Sequence, residues 1–519
     1  MRKGSLKVEG YAVAELAARA DVVAPGLGVP VGKLAALAGE LTGPGAGHRS
    51  FDEIEQQVIV QGRELLRVVL QYVMDQLAAA EPRLAQVTGA DGVPRRRAER
   101  GHRRTVVTWF GPVTVRRMAY REPGAANLHP ADAALSLPAR RYSWQVQRAA
   151  VRYALAGSYE QAQLMLQDAT GVSVGKQQIE QIVAEAAADA PGFCPSRPAA
   201  PVPAGAPLAI SADGKGVAMR PEARRAGTAR KARKRPGQAF GKRLGTGQKA
   251  GARRIAEAGV VFDVIAPDEP RTAEQVMGRA PGMPAPGGPR AVNRWYAADI
   301  AASRAETIAA VFGQAERRDP GHERTWIALV DGDRHQIEVI RAEAAARDVT
   351  VTIIIDFIHV IEYLRKAAWC FCPARDPAAE DWVTAAGLDI LHGRTPEVIS
   401  RIEAAAAAAP PRPGSEHAKI IRATLAYLEN KQPWMDYPRA LAEGWPISTG
   451  VIEGACRHLI ADRMGITGAR WGLDGAQAIL RLRAIAANGD LTAYWTWHIQ
   501  HERQRNHLSR YQDSHTLAA

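Results

Sequence analysis

Residues 207–217 read PLAISADGKGV, and residues 325–333 read TWIALVDGD. Each is a short apolar run that stops at an Asp-Gly pair, Asp213-Gly214 in the first and Asp331-Gly332 in the second. A third run, VTVTIIID at 349–356, stops at Asp356. Runs of β-branched and apolar residues bounded by Asp and Gly are strand signals. GVVFDVIA (259–266) and RWYAADIA (294–301) read as two further strands, and residues 302–317 as a helix. The order strand, strand, strand, helix, strand, helix, strand predicts an α/β fold built on a mixed sheet.

Working outward, residues 357–445 turn all-helical, and a last helical stretch runs from about Ser448 to the end. This predicts a core in two parts, 208–360 and 446–519, interrupted by a helical segment at 361–445. Upstream, PSRPAAPVPAGAP (195–207) reads as a linker. Residues 222–254 carry twelve Lys and Arg against one Glu, with many Gly. Such a segment, with Arg233, Lys234 and Arg235 at its centre, is too polar to pack and predicts a flexible basic loop.

Residues 51–194 form the preceding region, and 1–50 read as a loose arm. Phe51–Ala80 has apolar residues at helical spacing. RRRAERGHRR (95–104) leads into two alternating runs around Gly111-Pro112, a hairpin with Arg116 and Arg117 on its second strand. Residues 158–167 and 173–185 flank DATGV as two short helices, with Ser173 as the expected cap of the second. Helices joined by a Gly-containing turn make 158–185 a helix-turn-helix candidate, with Lys176, Gln177 and Gln178 where base contacts are usually made. An ordinary helical hairpin carries the same signature.

Lys and Arg total 67 against 54 Asp and Glu, a formal net charge of +13 over 519 residues. Basic excess suits a polyanionic partner such as DNA; a GC-rich genome also raises Arg and Ala. The four cysteines, Cys194, Cys370, Cys372 and Cys456, form no CxxC pair, so neither a zinc ribbon nor a disulfide framework is expected. Cys370 and Cys372 read as buried thiols, and the pattern fits a reducing cytoplasm. The N-terminus lacks the apolar core of a signal peptide, and no window of about 18 apolar residues predicts a membrane helix.

Asp213 and Asp331 would leave the C-terminal edge of a sheet, where open α/β sheets place their sites. Glu453, at the start of a late helix in STGVIEGA (448–455), could reach the same point. Phosphodiester transfer needs hard oxygen ligands for two Mg²⁺ ions about 3.5–4 Å apart, and a few carboxylates suffice; Mn²⁺ is accepted by the same ligands. Singly, each residue has a plainer reading as a turn Asp or a solvated helix Glu. Asp333 competes with Asp331, being two residues on.

The segments LAISADGKGV (208–217), ALVDGDRHQ (328–336), VTIIIDFIHVIEYL (351–364), STGVIEGACRHLIADRMGITGARW (448–471) and LRLRAIAANGDLTAYW (480–495) resemble bacterial insertion-sequence transposases of the ISKra type, allied to the Mutator-like group. The resemblance spans about residues 55–500. It implies a ribonuclease H-like catalytic core with an all-helical insertion at 361–445, preceded by a mainly helical DNA-binding region. It implies Asp213, Asp331 and Glu453 as the catalytic, metal-holding trio. Asp356 and His359 would be its supporting Asp-x-x-His element, His359 being equally readable as a structural histidine bonded to Asp356; Arg470 and Trp471 would lie close to the DNA, with plain core packing as the other reading of Trp471. Many relatives have a cysteine knuckle after the hairpin; here AYREPGAA (119–126) has no cysteine, so no zinc site is expected. The implied activity is metal-dependent cleavage and strand transfer, on terminal inverted repeats and target DNA, by a homo-oligomer in the bacterial cytoplasm. A non-catalytic DNA-binding protein and a hydrolytic nuclease are the rival expectations.

Overall fold

In a computed structural model, residues 18, 20–22, 26, 28–43, 48–198, 205–233, 253–278, 287–373, 376–466 and 468–512 are described. They fall into two compact units, one of residues 1–189 with 492–519 and one of residues 190–491. The boundary lies before the Pro/Ala stretch read as a linker: a short helix, Ala190–Ser196, already belongs to the second unit. The last 28 residues, expected to complete the catalytic core, belong to the first unit instead.

In the first unit, helix α1 (Gly28–Thr42) occupies part of the stretch read as a loose arm. Helix α2 (Phe51–Ala80) starts at a capping box, Ser50 accepting from Glu53 N and Glu53 returning to Ser50 N. Strands β1 (Arg97–Thr108) and β2 (Gly111–Arg121) pair antiparallel. The hairpin absorbs most of the basic run, because its residues alternate as a strand requires: Arg103 is exposed while His102 and Arg104 are half-buried. Gly101, at φ 83°, sits where the register shifts between Glu99 and His102.

Helices α3 (Trp144–Ala156), α4 (Tyr159–Thr170) and α5 (Lys176–Ala186) follow. Gly171 ends α4 in the left-handed conformation at φ 70°. The cap of α5 is Gly175, not Ser173: Gln178 reaches back to Gly175 N at 3.2 Å and replaces a side-chain cap.

The second unit is built on a five-stranded mixed sheet of β3 (Leu208–Ala218), β4 (Arg253–Ile265), β5 (Arg290–Asp299), β6 (Trp326–Val330) and β7 (Val351–Ile355). Their spatial order is β5-β4-β3-β6-β7. The first three pair antiparallel, and β3, β6 and β7 run parallel. β6 is wholly buried, as parallel strands covered on both faces must be.

Helices α6 (Arg304–Arg318) and α7 (Arg334–Ala346) connect strands. The helical segment comprises α8 (Phe357–Phe371), α9 (Pro377–Leu391), α10 (Thr395–Ala408) and α11 (Glu416–Lys431). Then come the one-and-a-half-turn helix α12 (Gly450–Ala455) and α13 (Leu473–Ala487). The stretch expected to be one basic loop begins with a short helix, Ala226–Arg233, and ends inside β4 at Arg253. Lys234 and Arg235 lie outside the described residues. Cys370 and Cys372, expected buried, are half-exposed, and Cys456 is buried. Among the described residues no helix is long and apolar enough to cross a membrane.

Candidate active site

β3 does not stop at Ala212. It runs to Ala218 because β4 partners it throughout, whereas its pairing with β6 ends at Ser211–Leu329. Asp213 is therefore inside a strand but past the end of the shared parallel ladder. Two positions beyond the Ser211–Leu329 pair stand Asp213 and Asp331. One position beyond the Val330–Ile355 pair stand Asp331 and Asp356. Three carboxylates thus occupy one row across the C-terminal ends of three neighbouring parallel strands.

Each is held differently. Asp213 is half-buried and accepts from Gly214 N at 2.6 Å. The buried Cys456 thiol lies against it; burial first, and then the charge of Asp213, push that thiol well above its ordinary value. Asp331 is exposed, accepts from Asp333 N at 2.9 Å, and has its carbonyl bonded by Tyr427 Oη at 3.1 Å. Tyr427 is fixed by stacking on Tyr363 at 4.0 Å.

Asp356 is fully buried and caps α8, accepting from Ile358 N at 2.8 Å. Burial pushes its carboxyl upward. Hydrogen bonds from His359, Thr449 and Ile358 outweigh that and hold it below the usual range. His359 Nδ1 lies 3.1 Å from Asp356 Oδ2, and this bond, against burial, lifts the imidazole to about 9, with Asp331 adding to the pull.

Glu453 is exposed on α12 and lies one turn beyond Thr449, whose carbonyl accepts from Glu453 N at 3.0 Å. The buried Thr449 hydroxyl touches Glu453 Oε1 at 3.1 Å and also Asp356 Oδ2. One hydroxyl has one proton. It cannot donate to both carboxylates at once, and since Asp356 also has the bond from His359, Glu453 is the less satisfied of the two.

Asp356, His359 and Glu453 each place a ligand atom within 4.8 Å of the others, a set able to hold a metal ion. The oxygen donors fit a hard divalent cation; the imidazole, protonated by its bond to Asp356, fits less well. Asp213 and Asp331 stand outside this tight group. Asp356, expected to be a supporting residue, joins Glu453 in this group.

Asp333 is engaged differently from Asp331. Gly332, at φ 97°, turns the chain out of the strand, and Asp333 becomes the cap of α7, accepting from His335 N at 2.9 Å. Its carboxylate is paired with Arg304, which also reaches Glu257 at 3.4 Å. Glu257 was missed by sequence reasoning. It is buried on β4 opposite Gly214, and burial pushes its carboxyl upward. The available signal was an acid inside the apolar run 255–262.

Trp471, expected near DNA, is buried: it donates to Met464 O at 3.2 Å, lies under Arg463 at 4.7 Å and bridges Met219. Arg470 remains exposed. In the first unit, Lys176 and Gln177 are exposed, Lys176 pairing with Glu160 at 3.1 Å. Gln178 is occupied by the α5 cap. Arg116 is half-exposed beside Asp75. Arg117 is no surface contact: its guanidinium is 10% exposed and 2.7 Å from Asp132. Within the basic run, Arg95 is buried against Asp91, and Arg104 bonds the Ala139 and Arg140 carbonyls. Arg233 closes the helix Ala226–Arg233.

The sequence profile of an uncharacterised protein family (UPF0236) matches residues 47–196, most of them in the first unit. No curated protein matches the chain.

Proposed function

We propose that the chain is a DNA transposase with a ribonuclease H-like core, cutting and joining DNA with metal held by strand-end carboxylates. The observation that carries this reading is the row Asp213–Asp331–Asp356, met by Glu453 through Thr449. The sheet order β5-β4-β3-β6-β7, with three antiparallel strands followed by two parallel ones, supports the fold assignment. The helical segment α8–α11 stands between the last strand and Glu453, as the resemblance implies.

Bound Mg²⁺ or Mn²⁺ would neutralise charge on the attacking and leaving oxygens of an in-line displacement. Asp213, Asp331 and Glu453 would hold it, with Asp356 fixing Glu453 through Thr449. His359 keeps its proton on the Asp356 side and orients that carboxylate. In the first step water opens a phosphodiester at the element end and leaves a 3′-hydroxyl. In the second, that hydroxyl attacks a target phosphodiester and displaces the target's 3′-oxygen. The pair α4–α5 is the proposed reader of the terminal repeats, through Lys176 and Gln177. Joining two ends calls for at least two copies of the chain.

The test is strand transfer with pre-cut ends and plasmid target, with Mg²⁺ or chelator, comparing wild type with Glu453→Gln. Metal-dependent joining that Glu453→Gln abolishes is the expected result. End binding without cutting or joining in any metal would overturn the reading in favour of a non-catalytic DNA-binding protein. Cutting without joining would favour a nuclease.

A further inference from the structure

A pocket of about 260 Å³ lies in the second unit between β4, the start of β5 and the start of α12. Phe262 and Val264 supply an apolar lining, and both are buried. Its polar lining residues are Arg271, the exposed Arg290 and Ser448. Among the described residues no Asp or Glu lines it. The acids closest to Arg271 in sequence, Asp268 and Glu269, are exposed and take no part in the lining. Glu274 is bonded to His392 at 3.0 Å.

Arg271 is half-buried, and burial is the one influence on its guanidinium, which it pushes below its ordinary value. The guanidinium packs on bare backbone: a Cβ placed on Gly288 would meet its Cζ at 3.1 Å. Among the described residues Arg271 has no ion pair; a partly desolvated cation in that state is unfavourable, and an anion entering the pocket removes that cost. The larger cavity of the same unit, about 350 Å³, differs here, since it contains Asp299 and Glu306 beside Arg317 and Arg481. Its charges balance internally, with Arg481 paired to Asp299 at 3.3 Å.

We infer that the Arg271–Arg290–Ser448 pocket binds a phosphate group, and that the group belongs to a nucleic-acid strand on its way to Glu453. Arg forks match phosphate oxygens, and two of them flanking a hydroxyl suit a phosphodiester. Gly450 and Val451 line the pocket and precede Glu453 by one turn or less of α12. On β4 the lining residues Phe262 and Val264 stand four and six positions beyond Ala258, the partner of Asp213, so a strand anchored here has to extend along α12 to reach the carboxylate row. The assignment to a strand rests on the transposase reading; the assignment to phosphate does not.

The experiment measures affinity for a single-stranded 12-mer against salt, and thermal stabilisation by inorganic phosphate, with full-length protein in chelator. Wild type is compared with Arg271→Gln/Arg290→Gln and with Arg271→Lys/Arg290→Lys, after far-UV spectra show all three folded. For single strands the log–log salt slope is about −0.7 per phosphate contact. The Gln pair should therefore lower its magnitude by about 1.4, weaken binding at least about tenfold, and lose the phosphate-induced rise in Tm. The Lys pair should keep most of the slope.

Phosphate stabilisation lost in the Gln pair, with strand affinity and slope unchanged, would overturn the strand as the source and leave a free-phosphate or nucleotide site. No difference in either measurement would overturn the pocket altogether. Slope loss in a protein that never joins DNA would uphold the pocket while the transposase reading fails.

Discussion

Two carboxylate–histidine clusters in this molecule share nearly the same composition and differ in their counter-ions. In the second unit Asp356, His359 and Glu453 converge; in the first, Asp189, His498 and Glu502 do. Around Asp189 every charge is answered. His498 bonds one carboxylate oxygen at 2.8 Å and Arg505 the other at 2.6 Å, while Arg505 and Asn506 also hold Glu502, at 3.2 and 2.6 Å. Among the described residues Glu453 forms no ion pair with Arg or Lys, and one Thr hydroxyl serves two carboxylates. The first cluster is a lock that ties helix Leu491–Asn506 to the end of the 1–189 segment. In the second, the His359 imidazolium is paired with Asp356, and among the described residues Glu453 has no ion pair of its own. Residue types alone do not separate the two; the Arg505 fork that holds both carboxylates of the first does.

The sharpest break of that comparison is a matched pair of substitutions. Asp356→Asn should reduce metal-dependent strand joining by at least about 10²-fold, the loss typical of removing one preorganised electrostatic group. Asp189→Asn should leave joining per folded molecule unchanged and lower stability by about 1.5–3 kcal/mol, the range for hydrogen bonds to charged groups. Strand-joining assays and urea denaturation of both variants decide it. Equal loss of joining in both would show that the two clusters are not functionally distinct.

Thr449 is where the comparison can be refined. Thr449→Val removes the hydroxyl between Asp356 and Glu453 without changing the buried volume much. Joining should fall about tenfold with a raised Mg²⁺ requirement, and Thr449→Ser should restore both; a buried hydroxyl hydrogen bond of about 1–1.5 kcal/mol sets that scale. A Ser variant as impaired as the Val variant would assign Thr449 to packing instead.

Parts of this site were legible because they are local. Asp213, Asp331 and Asp356 each close an apolar run, and strand periodicity brings them to one sheet edge without knowledge of the tertiary fold. Glu453 was legible through family resemblance. Glu257, Tyr427, Thr449 and Cys456 were not, because their roles arise from contacts across β4, α11 and α12 that have no signature in spacing. Asp331 and Asp333 were ambiguous until the positive φ of Gly332 and the α7 cap separated them. The Arg-rich start of the hairpin concealed a strand, since charge masked its alternation. Position in sequence concealed the membership of Thr492–Ala519 in the first unit.

The protonation of His359 gives a smaller, pH-dependent contrast. Its folded pKa of about 9 lies above the ordinary value of 6.5. The bond to Asp356 therefore contributes stability fully below about pH 6.5, and that contribution is lost as pH rises through 9. Asp356, held below its ordinary 3.8, contributes in the other sense: its stabilisation is present above that value and lost as pH falls through its lowered pKa. In chelator, wild-type Tm should decline between pH 7 and 9.5 more steeply than that of His359→Gln, by about a degree or more. Parallel Tm profiles would show that the imidazole is not charged by Asp356.

The smallest effect separates two adjacent arginines on β2. Arg117 is 10% exposed and 2.7 Å from Asp132, whereas Arg116 is 48% exposed at 3.1 Å from Asp75. Arg117→Ala leaves the largely buried Asp132 carboxylate with the more distant Arg104, at 3.9 Å, and the weaker influence of His507 and Arg510. Burial already pushes that carboxyl upward, so losing its nearer cation should cost about 1–3 kcal/mol in urea denaturation. Arg116→Ala breaks a solvent-screened pair and should cost at most about 0.5 kcal/mol, yet lower the magnitude of the salt slope for duplex DNA by up to about 0.9. If Arg116→Ala left that slope unchanged, the hairpin's outer face would not be a phosphate contact. The search for the DNA path in this unit would then narrow to Lys176 and Gln177, the exposed residues at the start of α5.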